Sequence, residues 1–72
     1  MIVELYTKTN ELVDTLEFES PNVPHVGDTL FFDEDHAYFD QRERVSVTAV
    51  SYRLDPTTPN MVAIVMAHGS RP

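Results

Sequence analysis

The chain contains no cysteine. Disulfide staples, a thiolate nucleophile and a cysteine-based zinc site are therefore excluded. Glycine occurs only twice, at Gly27 and Gly69, so there is no glycine-rich loop to cradle a phosphate. Lysine occurs once, at Lys8, and five basic residues stand against twelve acidic ones, a net charge of −7. Such a chain repels nucleic-acid backbones and anionic membrane surfaces, whose binding relies on Lys and Arg. The longest apolar run, 61–67, has seven residues, too few to cross a bilayer as a helix. Glu4 interrupts the N-terminal apolar stretch and no basic segment precedes it, so the expectation is a protein without a secretory leader, located in the cytoplasm. No stretch of about ten or more residues keeps a 3.6-residue period, which disfavours a helical bundle.

What remains is a small, ordinary-looking globular composition, 72 residues with 42% hydrophobic content. A domain of this length buries only about 60% of the surface that its unfolded chain exposes, so there is room for one core. The expected organisation is a single β-barrel domain over 1–67 with a fraying tail over 68–72.

Apolar residues alternate with period two, the mark of half-buried strands. The pattern predicts strands over 2–6, 12–19, 29–33, 44–54 and 61–67. In the first, Val3 and Leu5 share a face. In the second, Leu12, Leu16 and Phe18 share one, and Asp14 interrupts it near the rim. A polar hairpin loop joins them over 7–11, with Asn10 suited to the left-handed conformation. Pro21 and Pro24 hold the following connector extended, with Val23 and Val26 available to pack beneath it. The fourth strand changes phase: Val45, Val47 and Ala49 are apolar at odd positions, then Val50, Tyr52 and Leu54 at even ones. That slip requires a bulge or bend near Ala49 or Val50. The fifth strand is apolar on both faces and is expected either to be covered on both or to be paired centrally. Residues 33–43 read as a loop with at most one helical turn, Asp35 being placed to cap a turn from His36. The fold class expected is all-β, a small five-stranded, partly open barrel with a bent fourth strand.

The segment Pro24-His25-Val26-Gly27-Asp28, the strand residues Leu30 and Phe32, the Val-x-Val-x-Ala-Val-x-Tyr run from Val45 to Tyr52 and the closing apolar strand resemble the layout of small SH3-like barrels of bacterial and phage genomes. The resemblance spans Val23 to Ala67. It implies the fold and not a role, because such barrels serve translation factors, chromatin readers, phage particles and inhibitors alike. The RNA-binding branches are basic, and this chain departs from them.

Chemistry concentrates in one place, Asp33-Glu34-Asp35-His36 with Asp40 and Glu43 close behind. Alternating carboxylates in a loop suit a hard cation, yet the calcium-loop pattern demands a glycine that 33–43 lacks. A solvated loop and an acidic surface that imitates phosphates for a basic partner are the competing readings. His25, His36 and His68 lie far apart, and no metal site or cofactor is expected from them. Ser20, Ser46, Ser51 and Ser70 lack a nucleophile-elbow setting, and a barrel this small offers no deep cleft in which to raise a carboxyl pKa, so no enzymatic activity is expected. Phe18 and Phe32 fit the core. Phe31, Tyr38 and Phe39 either face a partner or cover a small core under the 33–43 loop.

These observations point to a non-enzymatic acidic protein-binding module. Its expected contact surface is Asp33, Glu34, Asp35, Tyr38, Phe39, Asp40 and Glu43, with carboxylates steering a basic partner and aromatics anchoring it. The expected context is a phage or mobile-element accessory protein that inhibits a host nucleic-acid-handling enzyme, of anti-CRISPR or anti-restriction type, without binding nucleic acid or membrane itself. The alternative is a structural or assembly module, forming homo-oligomers or part of a phage particle through the exposed edge of strand one or five.

Overall fold

A computed structural model describes residues 1–20, 22–58 and 60–70 of the chain. Five strands follow one another: β1 (Ile2–Tyr6), β2 (Leu12–Glu17), β3 (Thr29–Leu30), β4 (Val45–Asp55) and β5 (Asn60–His68). They form one mixed, strongly curled open sheet in the order β2-β1-β5-β4-β3, an all-β half-barrel without a helix among the described residues. β1 pairs antiparallel with β2 and parallel with β5, while β5 pairs antiparallel with β4. The doubly apolar β5 sits in the middle of the sheet, paired along both edges, with Ala63, Val65 and Ala67 buried on one face and Val62, Ile64 and Met66 half-buried on the other.

Alternation builds the core. Val3 and Leu5 of β1, Val45 and Val47 of β4, and Val65 and Ala67 of β5 all point to the concave side and are buried there. Each fully buried Val or Leu side chain contributes roughly 1.5–3 kcal/mol relative to exposure. Phe39 joins this cluster from the loop, and Leu16, Val23, Leu30, Phe32 and Val50 pack around it, half-buried.

Two bulges keep apolar side chains inside. In β4 the register with β5 shifts between Val47 and Ala49, so Thr48 is the extra residue, one position before the site inferred from the change of phase. Its hydroxyl donates to the Met66 carbonyl oxygen across 3.3 Å, which secures the bulge. In β2 the register shifts opposite Leu5 and Tyr6, because Leu5 faces Asp14 while Tyr6 faces Leu12. Val13 is therefore turned toward the core and Leu12 away from it. The connecting loop closes through a Thr7 amide donating to the Glu11 carbonyl and an Asn10 amide donating to that of Thr7, with Asn10 at φ +69°.

Several expectations need correction. β2 ends at Glu17 and leaves Phe18 exposed, because its last ladder bonds are those between Met1 and Phe18. β3 is only two residues long, and residues 31–43 form an irregular loop with no helical turn. Val26 is exposed, whereas Val23 packs on the core. The sheet edges are β2 and β3, not strands one and five, which pair on both sides. β5 runs through His68, and Gly69 is buried against the 33–43 loop, so the chain stays packed beyond Ala67. Arg71 and Pro72, in the tail expected to fray, lie outside the described residues, as does Pro21 of the connector.

Candidate functional site

Short polar bonds, not a helix, shape the 33–43 loop. The Asp35 carboxylate accepts the Gln41 amide at 3.0 Å, where a cap on the His36 turn was expected. The Gln41 side chain donates back to the Asp33 carbonyl oxygen at 3.0 Å, and the Asp40 carboxylate accepts the Arg42 amide at 2.8 Å. Asx-type bonds of this kind satisfy the backbone where no ladder is available.

Beneath the loop lies a small aromatic stack. Phe39 is 2% exposed, and its ring lies 5.7 Å from that of Phe32 at an interplanar angle of 7°. His36 completes the stack, with ring centroids 5.1 Å from Phe32 and 5.5 Å from Phe39. The His36 Nδ1 accepts the Tyr38 amide at 3.1 Å, so the proton of the neutral ring sits on Nε2, which donates to the Asp14 carboxylate at 2.5 Å. That bond, followed by the Thr15 amide, holds the Asp14 carboxyl below the usual carboxylate range.

The seven residues singled out from the sequence divide accordingly. Asp33, Glu34, Asp35, Tyr38 and Asp40 are exposed on the loop. Asp35, Tyr38 and Asp40 share a hollow of about 430 Å³ with His36 and Thr7. Among the described residues, no Lys or Arg lies within ion-pairing distance of the Asp33 or Glu34 carboxylate. Phe39 and Glu43 do not reach the surface, which corrects their assignment as contact residues. Phe39 is core. Glu43 is 6% exposed, and its carboxylate accepts the Ser70 amide at 3.1 Å, tying the end of β5 to the loop. Phe31, on the neighbouring turn, is exposed and carries the Arg44 guanidinium 5.6 Å above its ring.

Charge is unevenly distributed along the chain. Residues 1–44 hold eleven of the twelve carboxylates and three of the five basic side chains, a net −8, against +1 for residues 45–72. The sheet then presents two surfaces of different chemistry. One is the acidic loop around Tyr38. The other is the far end of the β4–β5 hairpin, where Tyr52, Leu54 and Met61 are exposed. Sequence reasoning placed these three on strands without recognising that the hairpin outruns its neighbours.

The histidines do not converge. His25 is exposed beside Asp28, and His36 is paired with Asp14. His68 bridges Thr48 and Asn10 and stacks on Tyr6 with ring centroids 4.9 Å apart. Among the described residues no three His, Asp or Glu side chains gather to hold a metal ion.

Loop and sheet together define a small five-stranded all-β half-barrel that displays an acidic, aromatic-bearing loop at one end. No family model, curated protein or solved structure matches the chain, so the likeness to small barrels stands at the level of architecture.

Proposed function

We propose that the chain is a non-enzymatic acidic binding module whose 33–43 loop engages a basic protein surface. The observation that carries this reading is the exposure of Asp33, Glu34, Asp35, Tyr38 and Asp40 on one loop, with Asp35 and Asp40 beside Tyr38 and the loop anchored to the core by Phe39. Anchoring matters because a contact surface held rigid loses less conformational entropy on binding. The carboxylates accelerate and orient the approach of a cationic partner, and the Tyr38 ring supplies the contact that is desolvated on docking.

A surface with this chemistry suits the nucleic-acid groove of an enzyme, where Lys and Arg are spaced to meet phosphates. In that role the protein inhibits a host nucleic-acid-handling enzyme by occupying its groove, as an accessory protein of a phage or mobile element does when it blocks restriction or CRISPR nucleases. Competition tests the reading. A DNA-binding enzyme captured on the immobilised chain is displaced by excess double-stranded DNA and by added salt. A captured partner indifferent to both contradicts it.

A further inference from the structure

Beyond the acidic loop, the β4–β5 hairpin forms a second surface with an independent chemistry. β3 and the preceding turn accompany β4 only as far as Val47, whose amide and carbonyl bond Asp28 and Gly27. From Thr48 to Asp55, no strand among the described residues adjoins that side of β4. A sheet edge of this length is a template for another strand. It is also unguarded: Arg53 and Asp55 are its only charged side chains, and neither proline nor lysine interrupts it.

The face beside this edge is apolar. Opposed pairs Val50–Val65, Tyr52–Ala63 and Leu54–Met61 lie on one side of the hairpin, the side that is core nearer the body. Cover runs out toward the tip, where Leu54 is 69% and Met61 63% exposed. At the root of the same edge lies an open groove of about 1030 Å³, with Val23, Val26 and Leu30 on one wall and Val50 and Tyr52 on the other. The protein therefore has an apolar tip at one end of the edge and, at the other, a groove of mixed lining in which His25 and Asp28 accompany the apolar side chains.

We propose that this edge pairs with the same edge of a second copy, antiparallel about a two-fold axis at Tyr52. In that register residues 49–55 of each strand align. Leu54 of one copy lies beside Val50 of the other, so each tip enters the partner's groove. Arg53 meets Ser51, Asp55 meets Ala49, and no like charges are opposed. The interface is isologous, as a two-fold requires. Charge favours a second copy as the occupant: the hairpins that meet are nearly neutral, and the molecule, 40 Å long, keeps the two acidic bodies at opposite ends of the dimer. The exposed side chains and backbone of both copies bury on the order of 1,000 Å², near the lower bound for a specific interface.

Sedimentation equilibrium of the full chain from about 5 to 500 µM tests this, the range suited to the weak association expected of an interface at the low end of the size scale. The expected result is a mass that rises with concentration toward twice the 8.2 kDa of the chain. In the doubly substituted Leu54→Lys, Met61→Lys protein the mass stays at one chain while the far-UV spectrum is unchanged. Amide exchange of the unmodified chain supplies a second readout, with protection over 49–55 growing as concentration rises. A single-chain mass at every concentration overturns the proposal and leaves the face to a different partner. So does association that survives both lysines in a folded protein, or protection that does not depend on concentration.

Discussion

His36 and Asp14, twenty-two residues apart, are joined by a hydrogen bond of 2.5 Å that fastens the acidic loop to β2. The imidazole is also the third ring of the stack with Phe32 and Phe39, so one side chain serves packing and polar anchorage together. Replacing His36 with Ala is expected to cost about 1–3 kcal/mol through lost ring packing and the lost bond to Asp14. Asp14→Asn costs less, because an amide oxygen still accepts from Nε2. Urea unfolding of the two variants checks the order, and equal losses contradict it.

Acid sensitivity follows from two carboxyls with depressed pKa values. Asp55 is held at about 2, against an ordinary 3.8, by bonds from the Thr57 hydroxyl and amide and from the Thr58 hydroxyl. Asp14 is lowered as well, by the His36 bond. A carboxyl depressed in the folded state contributes stability that is fully present above its unfolded pKa and disappears as pH falls through the folded value. Stability is therefore expected to decline between about pH 4 and pH 2, and Asp55→Asn is expected to flatten that decline. Urea midpoints across this range measure it, and an unchanged slope in the variant contradicts the assignment.

The two glycines have different reasons to be glycine. A Cβ at Gly69 would lie 2.4 Å from Phe39 Cε1 and 2.6 Å from Glu43 Oε2, both buried. Gly69→Ala is therefore expected to cost about 2 kcal/mol or more by overpacking. Gly27 sits at φ +96° with nothing near its Cβ position, so Gly27→Ala is expected to cost only about 1 kcal/mol of backbone strain. Thermal or urea unfolding separates the two, and Gly69→Ala should be the more damaging.

Tyr38 and Phe39 are adjacent and expected to behave oppositely. Phe39→Ala removes a core ring and should cost about 3–5 kcal/mol. Tyr38→Ala should change stability by no more than about 0.5 kcal/mol while weakening capture of a basic partner. A large stability loss from Tyr38→Ala contradicts its placement at the surface.

The contrast between those two neighbours shows what the sequence could and could not reveal. Where a strand alternates, burial is readable: Val3, Leu5, Val45 and Val47 were assignable from period two alone. The change of phase between Ala49 and Val50 also announced a bulge, one residue late, because hydrophobicity changes only after the extra residue, Thr48, has been passed. The bulge at Val13 left no such mark. Asp14 interrupts the apolar row at that point, so Leu12 read as inward. In the 33–43 loop no period exists, and two adjacent aromatics look alike. Only the meeting with Phe32 across the loop and with Gly69, far along the chain, makes Phe39 core and buries Glu43. The parallel pairing of β1 with β5 depends on the same kind of long-range closure, which no local pattern encodes.

Removing the exposed carboxylates of the loop tests the proposed binding mode most directly. The triple replacement Asp33→Ser, Glu34→Ser, Asp35→Ser removes these charges and one loop bond, that of Asp35 to the Gln41 amide, without altering a core side chain. A nucleic-acid-handling enzyme captured from lysate by the parent chain in a salt-sensitive manner is expected to be lost by the folded triple variant. Capture by that variant at the parent's strength and salt dependence would contradict the acidic-loop mechanism.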